Sequence, residues 1–217
     1  MKPHPLLLTF AAAATLLAAL PASAQTAAKN PAKSTPQGAI TFYGGYRGGG
    51  SFEQIVGSKT STDNLESSGV AAIAIDWAID AARNGQVFAS GQRTHMQLAS
   101  GSAYSTVPIN IGYLHLGGSN FFEGQAGHGA YIAGGLGATF MAPQQDGFSS
   151  EIRPSMSIAL GYEYAFTPSL ALRGELRGYA TLINSSGGFF CSGGCVVSIR
   201  GDGMFQGDAL LGLSMRF

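Results

Sequence analysis

Charged side chains are scarce in this chain: only 11% of its 217 residues are Asp, Glu, Lys or Arg, whereas a soluble domain carries about 25%. The charges also balance, with 12 Lys and Arg against 12 Asp and Glu, and they form no basic run. Because nucleic-acid binding needs clustered cations, this composition argues against DNA or RNA as a partner. A surface this poor in charge is unusual for a soluble protein.

Long apolar runs are missing as well, except near the beginning of the chain. Lys2, the apolar run over 6–20 and the A-x-A motif at 22–24 predict a cleaved signal peptide covering residues 1–24, with a retained N-terminal anchor as the alternative. After this segment no window holds about 18 consecutive apolar residues, which argues against a helical membrane span. Residues 25–37 are rich in Ala, Pro, Lys and Thr and predict a flexible lead-in.

The chain does contain long stretches in which apolar residues alternate with small or polar ones. Every second residue from Ile152 to Phe166 is apolar, and the pattern returns over 170–182 after the short turn Thr167–Ser169. Such alternation indicates β-strands, and their length is typical of a membrane-crossing hairpin. Weaker alternation predicts six more strands, for a total of eight, at 38–52, 67–81, 86–98, 107–119, 130–141 and 199–217.

The connectors between these predicted strands alternate in length. Long polar connectors are predicted at 53–66, 99–106, 142–150 and 184–198, an intermediate one at 120–129, and tight turns at 83–85 and 167–169. Outer-membrane barrels have long external loops and short periplasmic turns. We therefore predict an all-β domain at 38–217, an eight-stranded antiparallel up-and-down transmembrane β-barrel whose C-terminus faces the periplasm. A soluble barrel or sandwich, with apolar residues inside and charges outside, is the alternative.

The charged residues of the predicted strands fall on the face opposite the large apolar ones, so they should point into the barrel lumen. In the strand 67–81 this places Asp76 and Asp80 inward. Unpaired charges in a narrow lumen are costly, so the charges should neutralise one another. Glu163 and Arg173 should pair across the short turn, and removing Glu163 alone should destabilise the barrel more than removing both. The predicted luminal set is Arg47, Asp76, Glu163, Arg173, Glu175, Arg177, Asp208 and Arg216, with Tyr43 on the same face.

Two functions fit such a set of luminal charges. It can form a polar plug, or it can line a path for protons or small ions. An eight-stranded barrel is filled by its own side chains, which favours the plug.

Only two cysteines occur, Cys191 and Cys195, and both lie in the last long connector. Because an exported protein meets an oxidising compartment, they predict a disulfide that stiffens the loop tip around Phe189 and Phe190. On the chain-entropy estimate the small ring restricts the unfolded loop by roughly 2 kcal/mol. Two thiols are too few for a structural zinc site, and no metal or cofactor is predicted.

Known catalytic and phosphate-binding motifs are missing. The glycine clusters Gly44–Gly45 and Gly48–Gly50 do not fit G-x-G-x-x-G, and Gly57–Thr60 lacks the Gly-Lys step of a P-loop. Glycine in a small closed sheet allows strand curvature and close backbone approach. We therefore interpret the glycines as structural.

Histidines are few and scattered after the signal peptide, at His95, His115 and His128, and neither G-x-S-x-G nor H-E-x-x-H occurs. A lipid-modifying site that joins His95 or His115 to Ser100 or Ser119 is the enzymatic alternative. The leading prediction is a non-enzymatic protein that acts in envelope integrity or surface interaction through its loops. A narrow channel for small or apolar solutes is the other alternative.

The last predicted strand alternates up to its final residue, through Leu211, Leu213, Met215 and Phe217. Here the chain resembles Gram-negative outer-membrane β-barrels, whose last strand ends in an aromatic residue. The resemblance implies that these four residues form the signal that the barrel-assembly machinery reads.

Four further stretches carry a narrower resemblance: Gly112–Gly118, Ala133–Thr139, Leu172–Tyr179 and Phe190–Cys195. They are similar to a largely uncharacterised set of small outer-membrane barrel domains of the OmpA/OmpX type, over about residues 38 to 217. The resemblance implies an integral outer-membrane protein, surrounded by lipid and lipopolysaccharide, with no catalytic residues to carry over. We expect a monomer, and the resemblance names no ligand for the loops.

Overall fold

The strands of the described residues belong to one sheet. A computed structural model describes residues 37–56, 59–97, 106–183, 198–199 and 203–217. Residues 1–36, with the predicted signal peptide and most of the lead-in, lie outside the described residues. Helices long and apolar enough to cross a membrane are absent from the described residues. The strands are β1 Gly38–Gly49, β2 Ser51–Val56, β3 Lys59–Leu65, β4 Ser68–Ala78, β5 Arg83–Gln97, β6 Thr106–Phe121, β7 Gly129–Pro143, β8 Glu151–Thr167, β9 Leu170–Leu182, β10 Ser198–Ile199 and β11 Gly203–Arg216.

Eight of these strands close into an antiparallel barrel in the order β1, β4, β5, β6, β7, β8, β9, β11 and back to β1. Following paired residues once around the barrel from Gly38 leads back to β1 at Gly48, so the shear number is ten. Strands in such barrels tilt by about 35–45°. The eight-stranded barrel predicted from the sequence is confirmed.

The two faces of the barrel wall differ in character. Large apolar side chains cover the outside, whereas the inside holds charged, polar and aromatic side chains. All of the apolar face predicted for β8, from Ile152 to Phe166, is exposed. The soluble alternative would require the opposite arrangement. Other outward side chains are Phe42, Ile75, Leu116, Leu136, Leu176, Phe205 and Leu211.

The barrel has two distinct ends. At one end, here called the turn end, lie the connections 79–82, 122–128 and 168–169, together with Gln37 and Phe217. The opposite end, here called the loop end, carries the connections that include residues 50–67 and 144–150. The turn-end connections 79–82 and 168–169 are shorter than the two described at the loop end, whereas 122–128 is as long as 144–150.

The first long connector was wrongly predicted as a loop over 53–66. The strands β2 and β3 continue the first hairpin past the barrel, with Ser51 opposite Asn64 and Val56 opposite Lys59. Positive φ angles of 79° at Gly49 and 99° at Gly50 mark the junction with β1, which glycine adopts without strain. The sequence of these two strands lacks the regular two-residue alternation of the barrel strands, so periodicity did not reveal the hairpin.

The tight turn predicted at 83–85 lies at 79–82 instead, and Arg83 already begins β5. The cause is Asp80, whose carboxylate accepts hydrogen bonds from the backbone N–H groups of Ala82 and Arg83, both at 2.9 Å. These bonds close the turn earlier. The prediction that Asp80 points into the lumen is therefore wrong. The Arg83 guanidinium and the Ala82 N–H also hold the pKa of the Asp80 carboxyl below its usual value.

Candidate functional site

The lumen holds buried charges because the odd-numbered residues of β9 point inward, and three of them are charged. Arg173, Glu175 and Arg177 are each less than 5% exposed. Facing strands supply the other buried charges, which are likewise less than 5% exposed: Arg47, Asp76, Glu163 and Asp208. These seven predicted residues share one interior.

Arg173 has two carboxylate partners near the turn end. Its Nη1 donates to Asp76 at 2.6 Å, whereas its Nε lies 3.5 Å from the Glu163 carboxylate. Glu163 and Arg173 are directly opposite in the β8–β9 register, as predicted. The shorter bond nevertheless crosses the lumen to β4. Asp76 is therefore the principal partner of Arg173.

From Asp76 the network continues through a neutral side chain. Gln86 donates to Asp76 at 2.8 Å and accepts from Arg177 Nη2 at 3.0 Å. Arg177 Nε donates to Glu175 at 2.7 Å. Gln86 thereby joins two ion pairs that do not touch directly.

Tyr131 closes the network into a ring. Its hydroxyl donates to Glu175 at 2.8 Å and accepts from Arg173 Nε at 3.2 Å. Its aromatic face also lies 4.6 Å from Arg173 Cζ, a cation–π contact. The ring comprises Arg173, Asp76, Gln86, Arg177, Glu175 and Tyr131.

Another ion pair, outside the ring, lies nearer the loop end. Arg47 donates from Nε and Nη2 to the two carboxylate oxygens of Asp208, at 2.6 and 2.7 Å. Tyr179 donates to the same carboxylate at 2.8 Å. The Arg47 guanidinium lies 4.7 Å from the ring centroid of Tyr113 and 4.8 Å from that of Tyr179. This geometry suits arginine and excludes lysine, which has no planar two-pronged donor.

Arg216, the eighth predicted residue, differs from the others because it is only half-buried. It donates to the backbone carbonyls of Gly127 at 2.9 Å and Thr167 at 2.6 Å. It therefore ties the 122–128 connection to the end of β8 at the mouth of the lumen. With Arg216 included, four cations balance the four luminal carboxylates.

Apolar side chains pack beside the network toward both ends of the barrel. Toward the turn end, Phe121, Tyr131, Ala133 and Ala159 form a buried cluster against which Ala126 packs. Toward the loop end, a larger set of apolar side chains fills the lumen, and Phe148 packs against it from the 144–150 connection. Members of that set include Leu65, Val70, Met96, Val107, Ile109, Ile111, Met141, Ile183 and Met204.

The enzymatic alternative meets a geometric obstacle. His95 points outward and lies 3.4 Å from Glu66, whereas His115 is buried in the lumen with Nε2 2.8 Å from Ser155 Oγ. The two histidines lie on opposite faces of the wall, and the hydroxyl bonded to His115 belongs to Ser155 instead of Ser119. Ser100 lies outside the described residues. Among the described residues, no group of three or more His, Cys, Asp or Glu could hold a metal ion.

The predicted assembly signal follows the outer wall to its end. Leu211, Leu213, Met215 and Phe217 all face outward. The Phe217 carbonyl accepts from the N–H groups of Gln37 at 2.8 Å and Gly38 at 3.0 Å. The predicted disulfide residues Cys191 and Cys195 lie outside the described residues.

Sequence reasoning missed the neutral members of the network. Gln86, Tyr113 and Tyr131 each occupy an inward position in the alternation of their own strand, so the alternation alone could have placed them in the lumen. Their specific partners depend on the register and shear of the barrel, which the alternation does not encode.

No family model matches the chain, and no curated protein sequence matches it. Solved structures do share its fold. Neisserial surface protein A (NspA) matches with a TM-score of 0.54 and 12% identity, covering 83% of this chain and 97% of the other. The outer membrane protein OprG from Pseudomonas aeruginosa matches with a TM-score of 0.51 and 12% identity, covering 84% of this chain and 97% of the other. The outer membrane protein AlkL matches with a TM-score of 0.55 and 13% identity, covering 90% of this chain and 97% of the other. The barrel closure, the apolar outer wall and these likenesses lead to one conclusion: the chain is an integral outer-membrane β-barrel with the fold of the small OmpA/OmpX type.

Proposed function

We propose that this barrel is a non-enzymatic protein with a self-filled lumen, which acts in envelope integrity or surface interaction through its loop-end connections. The observation that supports the proposal is the hydrogen-bonded ring around Arg173 and Asp76, with apolar side chains filling the lumen toward the loop end. A lumen whose charges are paired with one another offers no wide aqueous path. Specific work is then left to the connections outside the membrane.

In this proposal the turn end faces the periplasm and the loop end faces outward, following the usual arrangement of such barrels. Lipid and lipopolysaccharide then surround the apolar wall. We expect the protein to contact the barrel-assembly machinery during biogenesis and to work as a monomer.

Planar-bilayer recording tests the filled lumen directly. Purified wild-type protein should show no steady conductance of the general-porin kind. A large, reproducible wild-type conductance whose ion selectivity changes in Glu163→Gln and Arg173→Met would overturn the proposal and favour a channel.

A panel of strains tests the role of the loops. Shortening 144–150 or 184–198 should alter adhesion or envelope permeability while the folded barrel persists in the outer membrane. The matched control is a change confined to the turn end, Ser169→Ala. Equal effects from loop and control variants would contradict the proposal.

A narrow channel for apolar solutes is the second candidate, and the apolar loop-end filling favours it. Three methionines there, Met96, Met141 and Met204, are flexible side chains that adapt to varied shapes. Uptake of a small apolar solute by cells with and without the protein separates the two candidates. Comparison of outer-membrane lipids from the same strains tests the enzymatic alternative, since a lipid-modifying enzyme would change their composition.

A further inference from the structure

A small cavity lies at the turn end, beside the luminal network. Its volume is about 30 Å³, and its polar lining includes Asp76, Glu163, Arg173 and Arg216. Ala39 also lines it and is the register partner of both Arg216 and Asp76. The cavity therefore lies between the buried ion network and the mouth of the barrel.

Two of the lining arginines have nitrogens that lack a protein hydrogen-bond partner. These are Nη2 of Arg173, whose side chain is 1% exposed, and Nε of Arg216. The buried Ser214 hydroxyl is also unpartnered, and Ser214 is directly opposite Thr41, a contact of Arg173, in the β1–β11 register. A buried donor left unsatisfied costs about 1–3 kcal/mol, and native proteins usually satisfy such groups with ordered water.

The size and chemistry of the cavity suit water better than an ion. A volume of this order accommodates roughly one or two water molecules. The guanidinium groups supply donors, and the carboxylates of Glu163 and Asp76 supply acceptors. Water can donate and accept at once, whereas the carboxylates repel an anion and the guanidinium groups repel a cation.

The loop end of the lumen differs sharply from the turn end. Met96, Val107, Ile109, Met141 and Met204 are each at most 3% exposed. They form an apolar filling between the charges and the loop-end connections. Water that reaches the ion network must therefore come from the turn end.

We propose that the turn-end cavity binds ordered water, which bridges Glu163 to Arg216 and completes the hydrogen bonds of Arg173. The bound water exchanges with the turn side of the membrane only.

Water-edited solid-state NMR of arginine-labelled protein in lipid bilayers tests this site. Polarisation from water should reach the side-chain nitrogens of Arg216 and Arg173 soon after exposed Arg83, and clearly before Arg177, whose three guanidinium nitrogens all bond to protein groups. No transfer to Arg173 and Arg216 would overturn the site. Transfer to Arg177 as fast as to Arg173 would overturn the one-sided access.

A filling variant provides the matched control. Ala39→Val places two methyl groups between Arg216 and Asp76, so transfer to Arg216 and Arg173 should fall to the level of Arg177. Ala71→Val makes the same change on the outward face of β4 and should leave the transfer unchanged. If Ala39→Val folds and keeps wild-type transfer, the site is wrongly placed. The wild-type measurement decides the proposal even if that variant fails to fold.

Discussion

At the residue scale, Arg173 shows how much the lumen adds to what alternation predicts. The sequence indicates its pairing with Glu163, which lies across a short turn. Asp76 is 97 residues away along the chain, yet it is the closer partner at 2.6 Å. The strand pairing and shear of the closed barrel bring the two together. Removing both Glu163 and Arg173 would therefore leave Asp76 without its cation. The double change should then not be less destabilising than the removal of Glu163 alone, contrary to the sequence-based prediction.

We expect Arg173→Met to lower the free energy of unfolding by about 3–5 kcal/mol, because it leaves two buried carboxylates without their cation. Glu163→Gln should cost less than about 1.5 kcal/mol, since Arg173 keeps Asp76. Urea unfolding in lipid vesicles, followed by the fluorescence of the single tryptophan, Trp77, measures both. Arg83→Met, in an exposed pair, is the control and should change little. An equal cost for Glu163→Gln and Arg173→Met would contradict the assignment of Asp76.

Cys191 and Cys195 give a second prediction at this scale. Their spacing in an exported loop predicts a disulfide. Mass spectrometry of the unreduced mature protein should find them bonded. Two thiols that alkylate freely in oxidised, folded protein would rule this out.

At the scale of the strands, glycine positions distinguish crowded from open parts of the wall. Gly161 on β8 faces the ring and hydroxyl of Tyr131, which occupy the place that a Cβ would need. Gly174 on the adjacent β9 faces open space, with nothing within 4 Å of a Cβ. The two glycines lie in neighbouring strands but meet opposite surroundings.

Alanine substitution at these positions should therefore have unequal effects. Gly161→Ala should cost about 1–3 kcal/mol, because it displaces Tyr131 from the ring of hydrogen bonds. Gly174→Ala should be close to neutral and is the matched control. Unfolding in vesicles measures both variants, and equal stability would show that Tyr131 moves freely.

The end of β11 carries the predicted assembly signal. Deleting Phe217 removes its outward ring and the carbonyl that accepts from Gln37 and Gly38. We expect less heat-modifiable, folded protein in the outer membrane, with export unchanged. Leu176→Ala, an exposed apolar change on β9, controls for a general loss of lipid contact. Normal assembly of the deletion variant at native expression would remove the assignment.

At the scale of the whole molecule, two-residue alternation was sufficient for the barrel, its strand number and the inward face of β9. It failed for the β2–β3 hairpin, whose sequence lacks regular alternation, and at Asp80, where a side chain closes the turn. The partners within the lumen could not be predicted, because they depend on how eight strands are staggered around the barrel.

Closure of the barrel can be tested between its first and last strands. Phe42 and Leu213 are opposite one another in the β1–β11 register. With Cys191 and Cys195 replaced by serine, Phe42→Cys and Leu213→Cys should cross-link on mild oxidation. Phe42→Cys with Leu116→Cys should not, because Leu116 pairs with β5 and β7 instead. Absence of the first cross-link in folded protein would contradict closure at this register.

The Arg47–Asp208 pair also joins these two strands, since the residues are direct partners across the β1–β11 seam. In a barrel that enters the bilayer with this seam open, both charges would stand at an unpaired strand edge. An arginine facing lipid near the midplane costs about 2–4 kcal/mol. The pair therefore disfavours an intermediate in which the β1–β11 seam is open, and it also stabilises the finished barrel.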